Sequence, residues 1–144
     1  MSEQFRNHTI EKIYHAVVEG KPKKEKDTLV HWLQKDESKN KTTVNSKQTI
    51  GSQMAELNYE VVQSNGEYSL LKIKLGTGRS HQIRAQLSAI GCPIVGDIKY
   101  GAPEQLPDRE LALAATSLSF ETATGGEKVV LEAPVPEEWA TYYM

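Results

Sequence analysis

Asn65 and Gly66 separate two stretches that both have the residue pattern of a β-strand. Residues 53–63 precede the pair and residues 67–75 follow it, and both are rich in β-branched, aromatic and leucine residues. Asn-Gly readily adopts the positive φ angles of a tight hairpin turn. The sequence therefore predicts an antiparallel hairpin. The apolar face of its second strand carries Leu71, Ile73 and Leu75.

Other segments add strands and short helices to this hairpin. Residues 12–19 alternate as a strand does, and residues 112–121 and 127–133 predict a second hairpin that turns at Gly125-Gly126. Residues 28–35 predict a short helix capped by Asp27 or Thr28. The tail after Pro136 predicts a final short helix.

These elements predict one α+β domain over residues 1–144, with a mostly antiparallel or mixed sheet and two or three packed helices. The composition, with 25% charged residues, is that of an ordinary globular domain. No apolar run is long enough to span a membrane, and the N-terminus lacks the apolar segment of a signal peptide. The single cysteine, Cys92, cannot form an intrachain disulfide, and no Cys/His group has zinc spacing. We therefore expect a cytoplasmic setting.

The charges are unevenly distributed, although the formal net charge is only −2. Residues 21–47 contain eight lysines and four acids, whereas residues 104–144 contain eight acids and two basic residues. Two interpretations fit this pattern. Either one basic face binds a polyanion, or both segments are simply solvated loops.

Residues 76–101, GTGRSHQIRAQLSAIGCPIVGDIKYG, are the most informative segment. Within it, Ile83, Leu87 and Ile90 have helical spacing, and Gly91 is typical of the residue that ends a helix. The segment therefore predicts a helix over residues 80–90 that follows a turn.

Three basic residues, Arg79, His81 and Arg84, cluster at the start of this predicted helix. Cations near a helix N-terminus each cost about 0.3–1 kcal/mol. The cluster therefore predicts an anionic partner, either a carboxylate from elsewhere or an RNA phosphate. The alternative is that the arginines extend into solvent and pair with surface acids.

This segment resembles a motif of the RluA-type RNA pseudouridine synthases, TGRxHQIRxxL followed by GxPIxGDxxYG. The matching residues are Thr77, Gly78, Arg79, His81, Gln82, Ile83, Arg84, Leu87, Gly91, Pro93, Ile94, Gly96, Asp97, Tyr100 and Gly101. So many positions at matching spacing make the resemblance specific.

A second motif of the same family is also matched near the N-terminus. Its residues here are Phe5, His8, Ile10, Lys12, Tyr14, Ala16, Val18 and Gly20. Ala133-Pro134 and Pro136 resemble the family's closing motif, so the resemblance covers most of the chain. Two departures concern Ala114, where relatives often have histidine, and Thr122-Ala123, where they often have His-Pro.

The family's first motif, of the HRLD type, carries the catalytic aspartate, and no Arg-Leu-Asp occurs in these 144 residues. The resemblance thus implies the C-terminal half of a pseudouridine synthase catalytic domain, inactive by itself. Both a segment of a longer protein and a naturally short protein fit this sequence.

The resemblance implies a cofactor-free isomerisation of uridine to pseudouridine in rRNA or tRNA, after the target base has left its stack. It assigns Tyr14 to base stacking and proton transfer, and Arg79 to pairing with the aspartate, with Arg84 as a weaker alternative or phosphate contact. His81 and Gln82 are expected to hold the turn or to contact RNA.

Three further site expectations are less specific. Ile73 and Leu75 either line the pocket or belong to the core, and Asp97 is expected to be structural.

Two alternatives to an enzyme segment stay open. One is an RNA-binding module without catalysis, supported by the basic segment and the basic helix start. The other is an assembly role, in which the chain pairs with a separate polypeptide that carries the aspartate. An uncovered sheet edge would also favour self-association.

Overall fold

A computed structural model of the protein describes residues 11–107, 110–121 and 128–144. These residues form one antiparallel seven-stranded sheet in the order β3-β2-β4-β5-β1-β6-β7. The strands are β1 Glu11–Glu19, β2 Lys26–Asp36, β3 Lys41–Asn45, β4 Gln53–Ser64, β5 Tyr68–Leu75, β6 Leu113–Glu121 and β7 Lys128–Glu132. The first strand therefore lies inside the sheet, between β5 and β6.

Two α-helices are present in the described part of the chain, α1 at Gln82–Ala89 and α2 at Ala140–Tyr143. Short 3-10 helices span Ile98–Tyr100 and Glu137–Trp139. None of the described helices is long and apolar enough to cross a membrane. The α+β prediction and the final short helix are confirmed.

The predicted hairpin at Asn65-Gly66 is confirmed by the pairing of β4 with β5. Gly66 has a φ of 92°, and the side-chain oxygen of Asn65 accepts hydrogen bonds from the backbone N–H groups of Glu67 and Tyr68. The strands of the second hairpin, β6 and β7, also pair as predicted. Its predicted turn at Gly125-Gly126 lies outside the described residues.

The prediction of a helix over residues 28–35 is wrong, because this segment lies within β2. Leu29 and Leu33 are buried, whereas Val30, on the opposite face, is half exposed. The strand pairs with β3 on one side and β4 on the other. Hydrogen bonding to two neighbours outweighs a weak local helix preference.

The lysines of the basic segment 21–47 do not form one cluster. Four of its lysines lie in residues 21–26, before or at the start of β2, and Lys35, Lys39 and Lys41 lie at its other end. At about 3.3 Å per residue, these two groups are roughly 30 Å apart. The basic face of the first interpretation is therefore divided into two groups. The second interpretation, a solvated loop, is wrong for Lys26–Asp36 and Lys41–Asn45, which are strands.

Burial along β1 shows where the sheet is covered. Ala16, Val17 and Val18 are fully buried, so both faces of the sheet are covered at this end of the strand. Tyr14 and His15, nearer its start, are only partly buried. A side chain such as Tyr14 can therefore reach a solvent-accessible pocket while its neighbours anchor the strand.

Gly96→Ala is expected to destabilise the fold by about 1–3 kcal/mol more than Gly91→Ala. Both glycines have positive φ, 91° and 83°, so both variants share the backbone strain. A Cβ at Gly96 would lie 2.6 Å from the Glu110 carbonyl oxygen and 2.9 Å from Leu106, whereas a Cβ at Gly91 meets nothing within 4 Å. Urea denaturation of both variants measures the difference. Equal losses would contradict the close approach at Gly96.

Candidate active site

A pocket of about 270 Å³ opens between the first half of β1, the end of β5 and the start of α1. Six of the seven residues predicted for the site line it: Tyr14, Leu75, Arg79, His81, Gln82 and Arg84. Its wall is completed by Lys12, Gly78, Ile83 and Leu113. Segments that are far apart in the sequence thus meet in one cavity.

Ile73 is the predicted site residue that does not line this pocket. Its side chain is fully buried, and its strand position pairs with Tyr14 on β1 and Tyr59 on β4. It belongs to the core beneath the site, which is the second of the two expectations for this residue. The prediction that it lines the pocket is corrected accordingly.

Gln82 holds the turn that precedes α1. Its side-chain oxygen accepts hydrogen bonds from the Thr77 hydroxyl and the Arg79 backbone N–H, at 2.8 and 2.9 Å. Its side-chain nitrogen donates to the Glu56 carbonyl oxygen at 2.9 Å. Because Gln82 is buried and its amide is already bonded to three groups, its observed role is to fix the turn.

His81 marks the start of α1 and lies in the left-handed region, with φ 54° and ψ 23°. Its Nδ1 is 2.8 Å from the hydroxyl of buried Tyr100, which also accepts a hydrogen bond from the Thr42 N–H. The buried hydroxyl hydrogen needs an acceptor, which assigns Nδ1 as acceptor and Nε2 as the protonated nitrogen. Burial, followed by the nearby charge of Arg84, lowers the pKa of His81 and favours this neutral form.

Arg84 forms a two-point ion pair with Asp97. Its Nε donates to Oδ2 at 2.8 Å and its Nη2 to Oδ1 at 2.9 Å. Asp97 is only 1% exposed, and its hydrogen bond raises the pKa of Arg84. The guanidinium also lies 4.8 Å from the centre of the Tyr100 ring. Asp97 is thus structural, as expected, and it fixes the direction of Arg84.

Arg79 and Tyr14 are less constrained than Arg84. The Nε of Arg79 donates to the Met54 carbonyl oxygen at 2.9 Å, and within residues 11–107, 110–121 and 128–144 this is the one hydrogen bond of its side chain. Tyr14 is half-buried, and its hydroxyl has no hydrogen-bond partner among the described residues. Both side chains therefore retain polar groups for a bound molecule.

The connection between Tyr100, Thr42 and the start of α1 was not predicted from the sequence. Besides the Thr42 N–H bond to Tyr100, the Thr42 hydroxyl donates to the Ser80 carbonyl oxygen at 3.1 Å. No spacing pattern relates Thr42 on β3 to Ser80 and Tyr100. Lys12, which also lines the pocket, could have been included because it belongs to the same motif as Tyr14.

A wider groove of about 580 Å³ lies elsewhere on the protein and contains none of the predicted site residues. Its charged lining is balanced: Lys26, Lys72, Lys74, Glu11, Asp27 and Glu60. We favour the smaller pocket as the site because it combines an aromatic hydroxyl, two arginines and apolar walls.

Comparisons with known proteins agree on one family. Residues 1–89 match the family described as RNA pseudouridylate synthase. A Chlorobaculum parvum protein named as an uncharacterised RNA pseudouridine synthase is 35% identical, with the alignment covering 96% of this chain and 47% of the relative. Ribosomal large subunit pseudouridine synthase C of Rickettsia prowazekii is 30% identical over 92% of this chain and 44% of its own length.

The fold is also found in a solved structure. Human RNA Pseudouridylate Synthase Domain Containing 1 superimposes with a TM-score of 0.77 at 25% identity, covering 92% of this chain and 58% of the human one. The chain spans about half the length of the curated relatives it matches.

Proposed function

The chain belongs to the RNA pseudouridylate synthase family, and we propose on this premise that it supplies the base-binding half of an enzyme that converts uridine to pseudouridine in RNA. The observation that carries the proposal is the meeting of Tyr14, Arg79 and Arg84 in one pocket with apolar walls. The name of the Rickettsia relative makes ribosomal RNA the first substrate to test.

In the proposed reaction, the bond between the ribose C1′ and the uracil N1 is replaced by a bond from C1′ to C5. The proton on C5 is lost and N1 gains one, so that the product is an isomer of the substrate. Tyr14 is suited to stack against the uracil and to assist the removal of the C5 proton, because its ring lines the pocket and its hydroxyl is available. Leu75 and Leu113 would supply the apolar wall.

A basic partner is needed to orient the aspartate carboxylate and to keep it ionised. The sequence favoured Arg79, but the geometry leads us to favour Arg84. Asp97 occupies one edge of the Arg84 guanidinium and fixes its position, which leaves the Nη1–Nη2 edge for a second carboxylate. Arg79, with a single hydrogen bond, is the better candidate for a flexible phosphate contact.

The aspartate itself is proposed to come from a segment that carries the HRLD-type motif, either on the same polypeptide or on a partner. A paired polypeptide would find an edge at β7, where Val130 is 47% and Leu131 55% exposed. Unpaired strand edges of this kind favour association with another strand.

The test is pseudouridine formation on unmodified ribosomal RNA by the chain alone, mixed with an aspartate-bearing segment, and fused to that segment. We expect no product from the chain alone and product from the mixture or the fusion. Arg84→Ala should then lower the rate more than Arg79→Ala. Product from the chain alone would overturn the requirement for a separate aspartate. A folded fusion that binds RNA and makes no product would instead favour a binding module.

A further inference from the structure

Three lysines from three different elements lie near the His81–Tyr100 pair, and His81 lines the pocket. The Lys41 Nζ, at the start of β3, lies 5.5 Å from the centre of the Tyr100 ring. The Lys99 Nζ, in the 3-10 helix, donates to the Asn40 carbonyl oxygen at 2.8 Å. Lys35, near the end of β2, pairs across the strands with Thr42, whose backbone N–H donates to the Tyr100 hydroxyl. The charges of Lys35 and Lys99 also contribute to lowering the pKa of His81, after burial and Arg84. We call these three lysines the hairpin patch.

The acids nearest to the hairpin patch are already engaged or outnumbered. Asp97 is bound by Arg84, and the Oδ1 of Asp36 accepts hydrogen bonds from the backbone and hydroxyl of Ser38. Glu37, exposed in the same hairpin, is outnumbered by Lys35, Lys39 and Lys41. Within the described residues the side-chain ion pairs are Lys74–Glu11 and Arg84–Asp97, so neither involves a patch lysine. The hairpin patch therefore presents positive charge that the described part of the protein does not neutralise by pairing.

The patch is held in a defined position relative to the pocket. Thr42 is 4% exposed, and its backbone and hydroxyl bind Tyr100 and Ser80, respectively. The bond to Ser80 connects the β2–β3 hairpin to the turn that precedes α1. His81, at the end of that turn, lines the pocket. Because the lysines are carried by anchored elements, less conformational entropy is lost when they bind a ligand.

We propose that the hairpin patch, Lys35, Lys41 and Lys99, binds the phosphates of the RNA strand beside the target uridine. RNA is the occupant that the location favours, because the patch lies beside the His81–Tyr100 pair and His81 lines the pocket assigned to the base. The assignment of the base to this pocket rests on the proposed function. His81, which lines the pocket, would add its Nε2–H as a further donor in the tautomer assigned above. Phosphate contacts position the RNA, and the pocket recognises the base.

The experiment compares two variants with the same change in charge. One carries Lys35→Gln, Lys41→Gln and Lys99→Gln, and the control carries Lys26→Gln, Lys72→Gln and Lys74→Gln from the wide groove. The Kd of a short fluorescent oligouridylate is measured across a series of salt concentrations. For single strands, the slope of log K against log salt is about −0.7 per phosphate contact. Losing three contacts should make this slope shallower by about 2 in the patch variant. At low salt, the Kd of the patch variant should rise ~10-fold or more. The control should keep the slope of the unaltered protein.

Several results would overturn the inference. These are an equal loss in both variants, an unchanged slope in the patch variant, or no binding by the unaltered protein at low salt. Equal competition by poly-glutamate would point to an acidic protein partner instead. Lys41→Arg keeps the charge beside Tyr100 and should bind the oligouridylate normally. This variant is the control for a folding defect caused by substitution at this position. Product formation with an unchanged slope would reject only the patch. Patch-dependent binding by a folded aspartate-bearing fusion that makes no product would reject only the proposed synthase activity.

Discussion

Asp97→Ala is expected to lower the free energy of unfolding by about 3–5 kcal/mol, because it breaks a buried ion pair from one side. The substitution removes both oxygens that bind Arg84 and leaves the guanidinium against the Tyr100 ring without its carboxylate. Asp97 is 1% exposed, and the Arg84 side chain is 21% exposed. Urea denaturation followed by circular dichroism measures the loss.

A double-mutant cycle separates the ion pair from general packing. Arg84→Met should also be strongly destabilising, because it leaves the Asp97 carboxylate buried without a cation. Asp97→Asn is the second single variant of the cycle. The Arg84→Met, Asp97→Asn double variant should lose much less free energy of unfolding than the sum of these two single variants. The exposed pair between Lys74 and Glu11 is the matched control, and Lys74→Met there should cost less than about 1 kcal/mol. Additive losses at Arg84 and Asp97 would contradict a coupled pair.

Tyr14→Phe is expected to lower the rate of pseudouridine formation by the aspartate-bearing fusion ~10²–10⁴-fold, the usual contribution of a general acid or base. The phenylalanine keeps the ring for stacking, so RNA binding and the unfolding midpoint should change little. The measurement is single-turnover product formation on ribosomal RNA, together with the Kd for the same RNA. Tyr14→Ala should lower the rate and also weaken binding, because the stacking ring is lost.

Tyr142→Phe is the control for this substitution. Tyr142 packs edge-on against Tyr68 and does not line the pocket. Its variant should retain the full rate. A Tyr14→Phe fusion with an unchanged rate would reject the proton-transfer role and leave Tyr14 as a stacking residue. Equal losses at both tyrosines would indicate a structural effect.

Local elements were predicted well wherever one or two residues control the backbone. The Asn65-Gly66 turn was recognised because few other pairs accept its φ angles, and Gly91 ends α1 with a φ of 83° as expected. Residues 28–35 were misread because short apolar segments satisfy both helical and strand patterns. Their conformation is set by pairing with β3 and β4, which local sequence does not encode.

The sequence by itself determined the family through its motifs, and it predicted six of the residues that line the pocket, five from the motifs and Leu75 from a strand pattern. Motif residues report chemistry directly, since a given reaction needs particular side chains at particular spacings. Only the tertiary structure decided which groups these side chains contact. The tertiary structure pairs Arg84 with Asp97 and buries Ile73 in the core. It also divides seven of the eight lysines of residues 21–47 between the two ends of β2. Such contacts join residues from separate strands and turns, so they depend on how the sheet is assembled and not on spacing along the chain.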